Sequence, residues 1–175
     1  MDLMSTAQLL GNFGEFVGSI GVLATLIYLA FQIRQNSASL RVSVEQSISN
    51  SFSDLYQEVA SSDLAYIFVR ASEGQPLTVE EGTKFGFLAS SLFRRLEQAH
   101  LQYVTGNLSE ESWAALDSGF SLQIQSSAGL QNYWEVRGKH FREEFRDHIE
   151  AVRSQPTEGL NTYEFAQRLA SGADD

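Results

Sequence analysis

Phe16–Ile33 reads FVGSIGVLATLIYLAFQI, eighteen residues without a charge. As a helix rising about 1.5 Å per residue, the stretch would be about 27 Å long, close to the hydrocarbon thickness of a bilayer. Gln32, beside Arg34, is its only strongly polar side chain. A soluble helix of this length needs one polar face, because one side must meet water. Here every side is apolar, with Val17, Ile20, Leu23, Leu26, Ile27 and Phe31 opposite the small residues. The stretch therefore predicts a transmembrane helix. The competing reading, a core helix of a soluble bundle, requires protein on all of its faces.

Small residues recur along one line at Ala7, Gly11, Gly14, Gly18, Gly21 and Thr25, in alternating steps of four and three. That spacing averages about 3.5 residues and keeps them on one face of a helix. Glycine inside a helix costs about 1 kcal/mol against alanine in water, so four in register need a reason. In lipid the reason is close helix approach, where backbone packs on backbone. Gly11, Gly14, Gly18, Gly21 and Thr25 are thus the expected interface with a second copy. The bland explanation is that glycine is common in membrane helices generally.

The flanks orient the span. Arg34 and Arg41 follow it, whereas Asp2 and Glu15 precede it with no Lys or Arg. Positive residues favour the cytoplasmic side, which places the long C-terminal part in the cytoplasm and the protein in the inner membrane. There is no basic n-region and no small-x-small cleavage site near Phe31-Gln32-Ile33, so the segment reads as a retained anchor.

Gly18-Ser19-Ile20, Leu26-Ile27-Tyr28-Leu29 and Gln32-Ile33-Arg34-Gln35-Asn36 carry a resemblance. This opening resembles that of small bacterial membrane-anchored proteins in which one N-terminal span precedes a helical domain. The similarity is clearest over residues 11–36, with a looser echo at Arg95, Glu97, Tyr103, Gly106, Trp113 and Trp134. It implies a layout and no chemistry.

Beyond the span, composition narrows the classes. Of 22 acids only Asp2 and Glu15 precede residue 35, and of 12 Lys and Arg only Arg34, so the remaining part carries a net −9. Such a domain lacks the basic face that nucleic acid or anionic lipid surfaces require. No cysteine is present, which excludes disulfides, thiolate metal sites and cysteine nucleophiles. Two prolines in 175 residues favour long helices.

The periodicity downstream is helical throughout. Leu40, Val44, Ile48, Phe52, Leu55 and Val59 form an apolar stripe, and no Pro or Gly in 35–39 stops the first helix before it. Membrane helix and stripe should be nearly continuous, with a bend near Asn36. Ser62-Asp63 can cap a short helix at 64–72, and Thr78 a longer one buried through Phe85, Leu88, Leu92, Leu96, Ala99 and Tyr103, ending at Gly106. Ser109 starts a helix facing inward through Trp113, Leu116, Phe120 and Ile124. After a turn at 126–129, Leu130, Trp134, Gly138, Phe141, Phe145, Ile149 and Val152 predict one last long helix before Pro156. The expected fold is all-α: an N-terminal transmembrane helix running into an antiparallel bundle of about four helices. Residues 1–34 are the anchor, 35–155 the cytoplasmic bundle, and 156–175 an acidic tail with weak helix around 163–169.

Glu97-Gln98-Ala99-His100 is the one spacing that suggests metal chemistry, because Glu-x-x-His puts two ligands on one helix face. Carboxylate-bridged di-iron bundles need a second such pair, and the chain has none; Glu144 and His148 are the nearest companions. Glu97 and His100 also fall off the apolar stripe, so an ion pair of Glu97 with Arg94 or Arg95 is the expectation, and no cofactor or metal. Residues 135–153 hold five acids and five bases, read as a solvated face with pairs such as Lys139–Glu143 and Glu143–Arg146. Trp113, Trp134, Phe141 and Phe145 are read as core. No nucleophile elbow, Walker loop or dinucleotide fingerprint occurs. The expectation is a non-enzymatic membrane protein whose partners are the bilayer, a second copy of itself and an unidentified cytoplasmic protein. The alternatives are a metal-dependent oxidoreductase at Glu97, His100, Glu144 and His148, or an oligomeric ion pathway ringed by Glu15.

Overall fold

The computed structural model describes residues 3–156, 159 and 162–172. They form an all-α protein: α1 Leu3–Ala60, α2 Leu64–Ser72, α3 Val79–Val104, α4 Glu110–Ser126, α5 Ala128–Arg137, a 3-10 turn Gly138–His140, α6 Glu143–Ser154 and α7 Thr162–Ser171. No strand occurs among the described residues. The chain divides into two compact units, Met1–Ser43 and Val44–Asp175.

The first unit is the N-terminal part of α1. Helix runs through Asn36 without interruption, where a bend was expected. The helix is long and apolar enough to cross a membrane, and none of its apolar window is buried. From Phe13 to Ile33 the large side chains point outward around the whole circumference.

The second unit begins where α1 gains partners. Leu40, the first member of the expected stripe, is 55% exposed, whereas Phe52 and Leu55 are buried. Phe52 packs on Phe120 of α4 with ring centroids 4.8 Å apart. The core continues through Ile67, Phe93, Leu96, Ile124, Leu130, Phe145 and Ile149, each almost wholly withdrawn from water. Burial of each such side chain contributes about 1.5–3 kcal/mol. Trp113, Trp134, Phe141 and Phe145 belong to this core, as their spacing predicts.

Capping follows the sequence closely. The Thr78 hydroxyl accepts from the Glu81 amide, and the Glu81 carboxylate accepts from the Thr78 amide, a complete capping box. The same carboxylate pairs with Arg70 at 2.7 Å, tying the start of α3 to α2. Gly106, at φ +75°, ends α3 in the left-handed conformation that glycine adopts without a Cβ penalty. Before α2 the hydroxyl that accepts from the Leu64 amide belongs to Ser62; Asp63 instead pairs with Lys84 at 2.8 Å.

The expected bundle of about four helices becomes six α-helices after α1 among the described residues. The expected turn at 126–129 contracts to Ser127, a buried N-cap whose hydroxyl accepts from the Leu130 amide and donates to Ser72. The long last helix, expected from Leu130 to Val152, is broken after Arg137. Gly138 lies against the Trp134 indole so closely that a Cβ there would come within 2.9 Å of the ring. The chain then turns, and the Arg142 amide donates to Glu97 at 2.8 Å instead of to a helical carbonyl. Phe141 and Phe145 thereby stay on one core although they sit on different elements. The tail contributes α7, while Asp174 and Asp175 lie outside the described residues.

Candidate functional site

In the first unit, Gly11, Gly14, Gly18, Gly21 and Thr25 lie on one unbroken helix. A Cβ placed on any of the four glycines would meet nothing within 4 Å. Packing inside the chain therefore gives no reason for glycine at these positions. The hydroxyls here are self-satisfied: Thr25 donates to the Gly21 carbonyl at 2.8 Å and Ser19 to the Glu15 carbonyl at 2.8 Å. Neither presents a free donor to its surroundings.

In the second unit, α3 carries two buried polar residues one turn apart. Glu97 is 6% exposed and His100 9%, so neither lies on the outer face where the apolar stripe would leave them. Glu97 is fully engaged. One oxygen accepts from the Arg142 amide at 2.8 Å and the other from Arg94 Nη1 at 2.8 Å, the ion pair expected from the sequence. The Arg94 guanidinium lies 4.3 Å over the Phe141 ring, and its second nitrogen donates to the His140 carbonyl. The carboxylate thus fixes the start of α6 by accepting from the residue that precedes it, beside the positive end of that helix. These bonds turn Glu97 toward the α6 start, not toward His100.

His100 instead enters an aromatic cluster. Its ring centroid lies 5.2 Å from Trp113, 5.7 Å from Phe145 and 5.3 Å from His148, nearly parallel to the last. Tyr103 stacks on the other part of Trp113 at 5.5 Å. His148 Nε2 and Asp117 Oδ1 are 2.7 Å apart. Burial holds the His100 pKa below its ordinary value, and the neighbouring His148 lowers it further, against the weaker pull of Glu144 and Asp117. Of the four residues weighed for a metal, His100, Glu144 and His148 share one region, while Glu97 is engaged elsewhere. Among the described residues no group of three or more His, Asp or Glu side chains is placed to hold a metal ion.

The hydrogen bonds also decide against an acyl-transfer triad. There histidine stands between the hydroxyl and the carboxylate. Here Asp117 stands in the middle, its Oδ1 accepting from Ser121 at 3.4 Å and lying 2.7 Å from His148 Nε2. The arrangement orients rings and activates no hydroxyl. Asp117 is the member that sequence reasoning missed. Its position one turn after Trp113, on the same face of α4, was the available signal.

On α5 and α6, the charged residues pair differently from the expected local steps. Arg153 reaches Glu150 at 3.1 Å and Glu135 at 3.3 Å, rather than Lys139–Glu143 and Glu143–Arg146 forming. Glu150 also accepts from the Trp134 indole at 2.7 Å, which locks α6 to α5. Compared with known protein families, curated proteins and solved structures, the chain matches none, so the reading of its function rests on this geometry alone.

Proposed function

We propose that the chain is a single-pass inner-membrane protein that self-associates through the Gly11, Gly14, Gly18, Gly21 and Thr25 face and holds a helical interaction domain in the cytoplasm. The observation that carries this reading is the coincidence of two features on one helix. Its apolar side chains are exposed all round, and its four in-register glycines have open space above them. In water the first is a liability and the second a loss of helix stability. In lipid both acquire a purpose, because exposed apolar side chains meet acyl chains and the glycine face lets a second helix approach to backbone contact.

Replacing Gly18 and Gly21 together by Ile puts branched side chains on that face, where a Cβ meets nothing within 4 Å. Cross-linking in native membranes should give an oligomeric species with the unaltered protein and lose it in the double variant. Retention of the same ladder in the double variant would remove the stripe as the interface.

A further inference from the structure

Glu97 takes Arg94 as its ion-pair partner, which leaves the next residue, Arg95, without one. Arg95 is partly buried and makes no hydrogen bond or ion pair among the described residues. Its Nη1 is shut off from water with no partner at all. A lysine in that position could shed its proton, but a guanidinium stays charged. Withdrawing such a group from water without a counter-charge costs free energy. In a chain of net charge −10, an unpaired cation of this kind needs an explanation.

Arg95 lines a cleft of about 450 Å³ between α1 and α3, with both walls inside the second unit. α1 lends Val44, Ser47, Ile48 and Ser51, whose spacing puts them on one helix face. α3 lends Ser91, Arg95, Gln98 and Gln102, spaced in the same way. Helices that pack directly turn apolar residues to each other, whereas these walls carry hydroxyls and amides. Ser51 donates to the Ile48 carbonyl of its own helix, but Ser47, Ser91 and Gln98 have no partner among the described residues. The Gln102 side-chain carbonyl accepts from Asn107 at 3.1 Å, which leaves its amide nitrogen as a donor. No described Asp or Glu lines the cleft. The carboxylates nearest in sequence are engaged elsewhere: Glu45 accepts from Ser112 at 3.1 Å, and Glu97 from Arg94 and the Arg142 amide.

We infer that this cleft binds a water-soluble phosphate monoester, its phosphate on the Arg95 guanidinium and its remaining oxygens served by the serine and glutamine donors. A carboxylate has two oxygens, which the fork of a single guanidinium already fills. A phosphate monoester brings three acceptor oxygens and nearly two charges, enough for Arg95 and for donors on both helices. A lipid tail fits worse, because it would cover hydroxyls and amides without replacing their hydrogen bonds to water. The volume is that of a small-molecule site, so the organic part has room beside Val44 and Ile48.

The test uses the full chain in phosphatidylcholine nanodiscs, with glycerol phosphate as the soluble probe. Its phosphorus NMR line lies apart from that of the lipid phosphodiester and registers even weak binding. The line should broaden saturably with protein, and acetate should displace the probe about tenfold less well than inorganic phosphate does. Arg95→Gln removes the cation, and Ser47→Glu sets a competing carboxylate in the cleft. Each should keep the near-ultraviolet circular dichroism and lose the broadening. Ser47 is exposed, so its variant decides the matter even if Arg95→Gln does not fold. No saturable broadening, unchanged broadening in either folded variant, or equal displacement by acetate would each overturn the proposal. So would displacement of the probe by phosphatidic acid built into the disc, which would assign the cleft to a membrane lipid.

Discussion

His100 shows what one buried titratable ring does to a helical core. The unfolded chain gives it an ordinary pKa near 6.5, and the fold lowers that value through burial and the adjacent His148. Below about pH 6.5 the unfolded state therefore binds a proton that the native state refuses, and stability falls as the pH drops. The loss is complete once the pH is beneath the folded value. Thermal unfolding of the full chain should show a midpoint that declines from pH 7 toward 5, and His100→Gln should flatten the decline. An undiminished slope in that variant would mean that His100 does not set the decline. The buried position of His100, and of Glu97 beside it, was not legible in the sequence. A stripe drawn through Leu92, Leu96 and Ala99 sends charged neighbours outward by default. What holds Glu97 inside is an amide 45 positions away, and periodicity carries no information about such a partner.

At the scale of elements, local chemistry was readable wherever one helix ends and another begins. Thr78 with Glu81, Ser109, and Gly106 mark their boundaries by short-range hydrogen bonds and backbone conformation, so the sequence suffices. The break after Arg137 is different. Leu130, Trp134, Gly138, Phe141 and Phe145 keep a helical spacing, yet α5 and α6 are separate: Gly138 lies against the Trp134 ring in a 3-10 turn, and Phe141 then leaves helical geometry for an extended conformation. Two glycine-to-alanine changes should therefore have opposite signs. Gly138→Ala places a methyl within 2.9 Å of the indole and should destabilise by about 1–3 kcal/mol. Gly119→Ala, in mid-α4 with open space above it, should stabilise by about 0.5–1 kcal/mol. Urea unfolding of both variants measures the pair, and equal signs would mean that the space between Gly138 and the Trp134 ring accommodates a methyl group.

On the scale of the whole molecule, the division of labour along α1 was the most legible feature, since a charge-free run and an amphipathic stripe differ in composition as well as in period. The point where one gives way to the other was less so: Leu40 belongs to the stripe by spacing but stays outside the core, which recruits α1 only from Ile48 onward. Every buried apolar residue of the core lies at or after Phe52. The aromatic cluster, the Glu97 clamp and the Trp134–Glu150 lock likewise draw nothing from the first unit. A fragment comprising 44–175 should consequently fold without lipid or detergent, because it keeps the whole core and sheds the exposed apolar surface. Its near-ultraviolet circular dichroism, dominated by Trp113 and Trp134, should superimpose on that of the full chain, with a melting temperature within a few degrees, since every buried core residue lies within it. Collapse of the aromatic signal would mean that residues 1–43 stabilise the domain through contacts made only in the assembled protein. In that event the glycine face and the helical domain would form one cooperative structure, and variants at Gly18 and Gly21 should lower the melting temperature of the domain as well as its copy number.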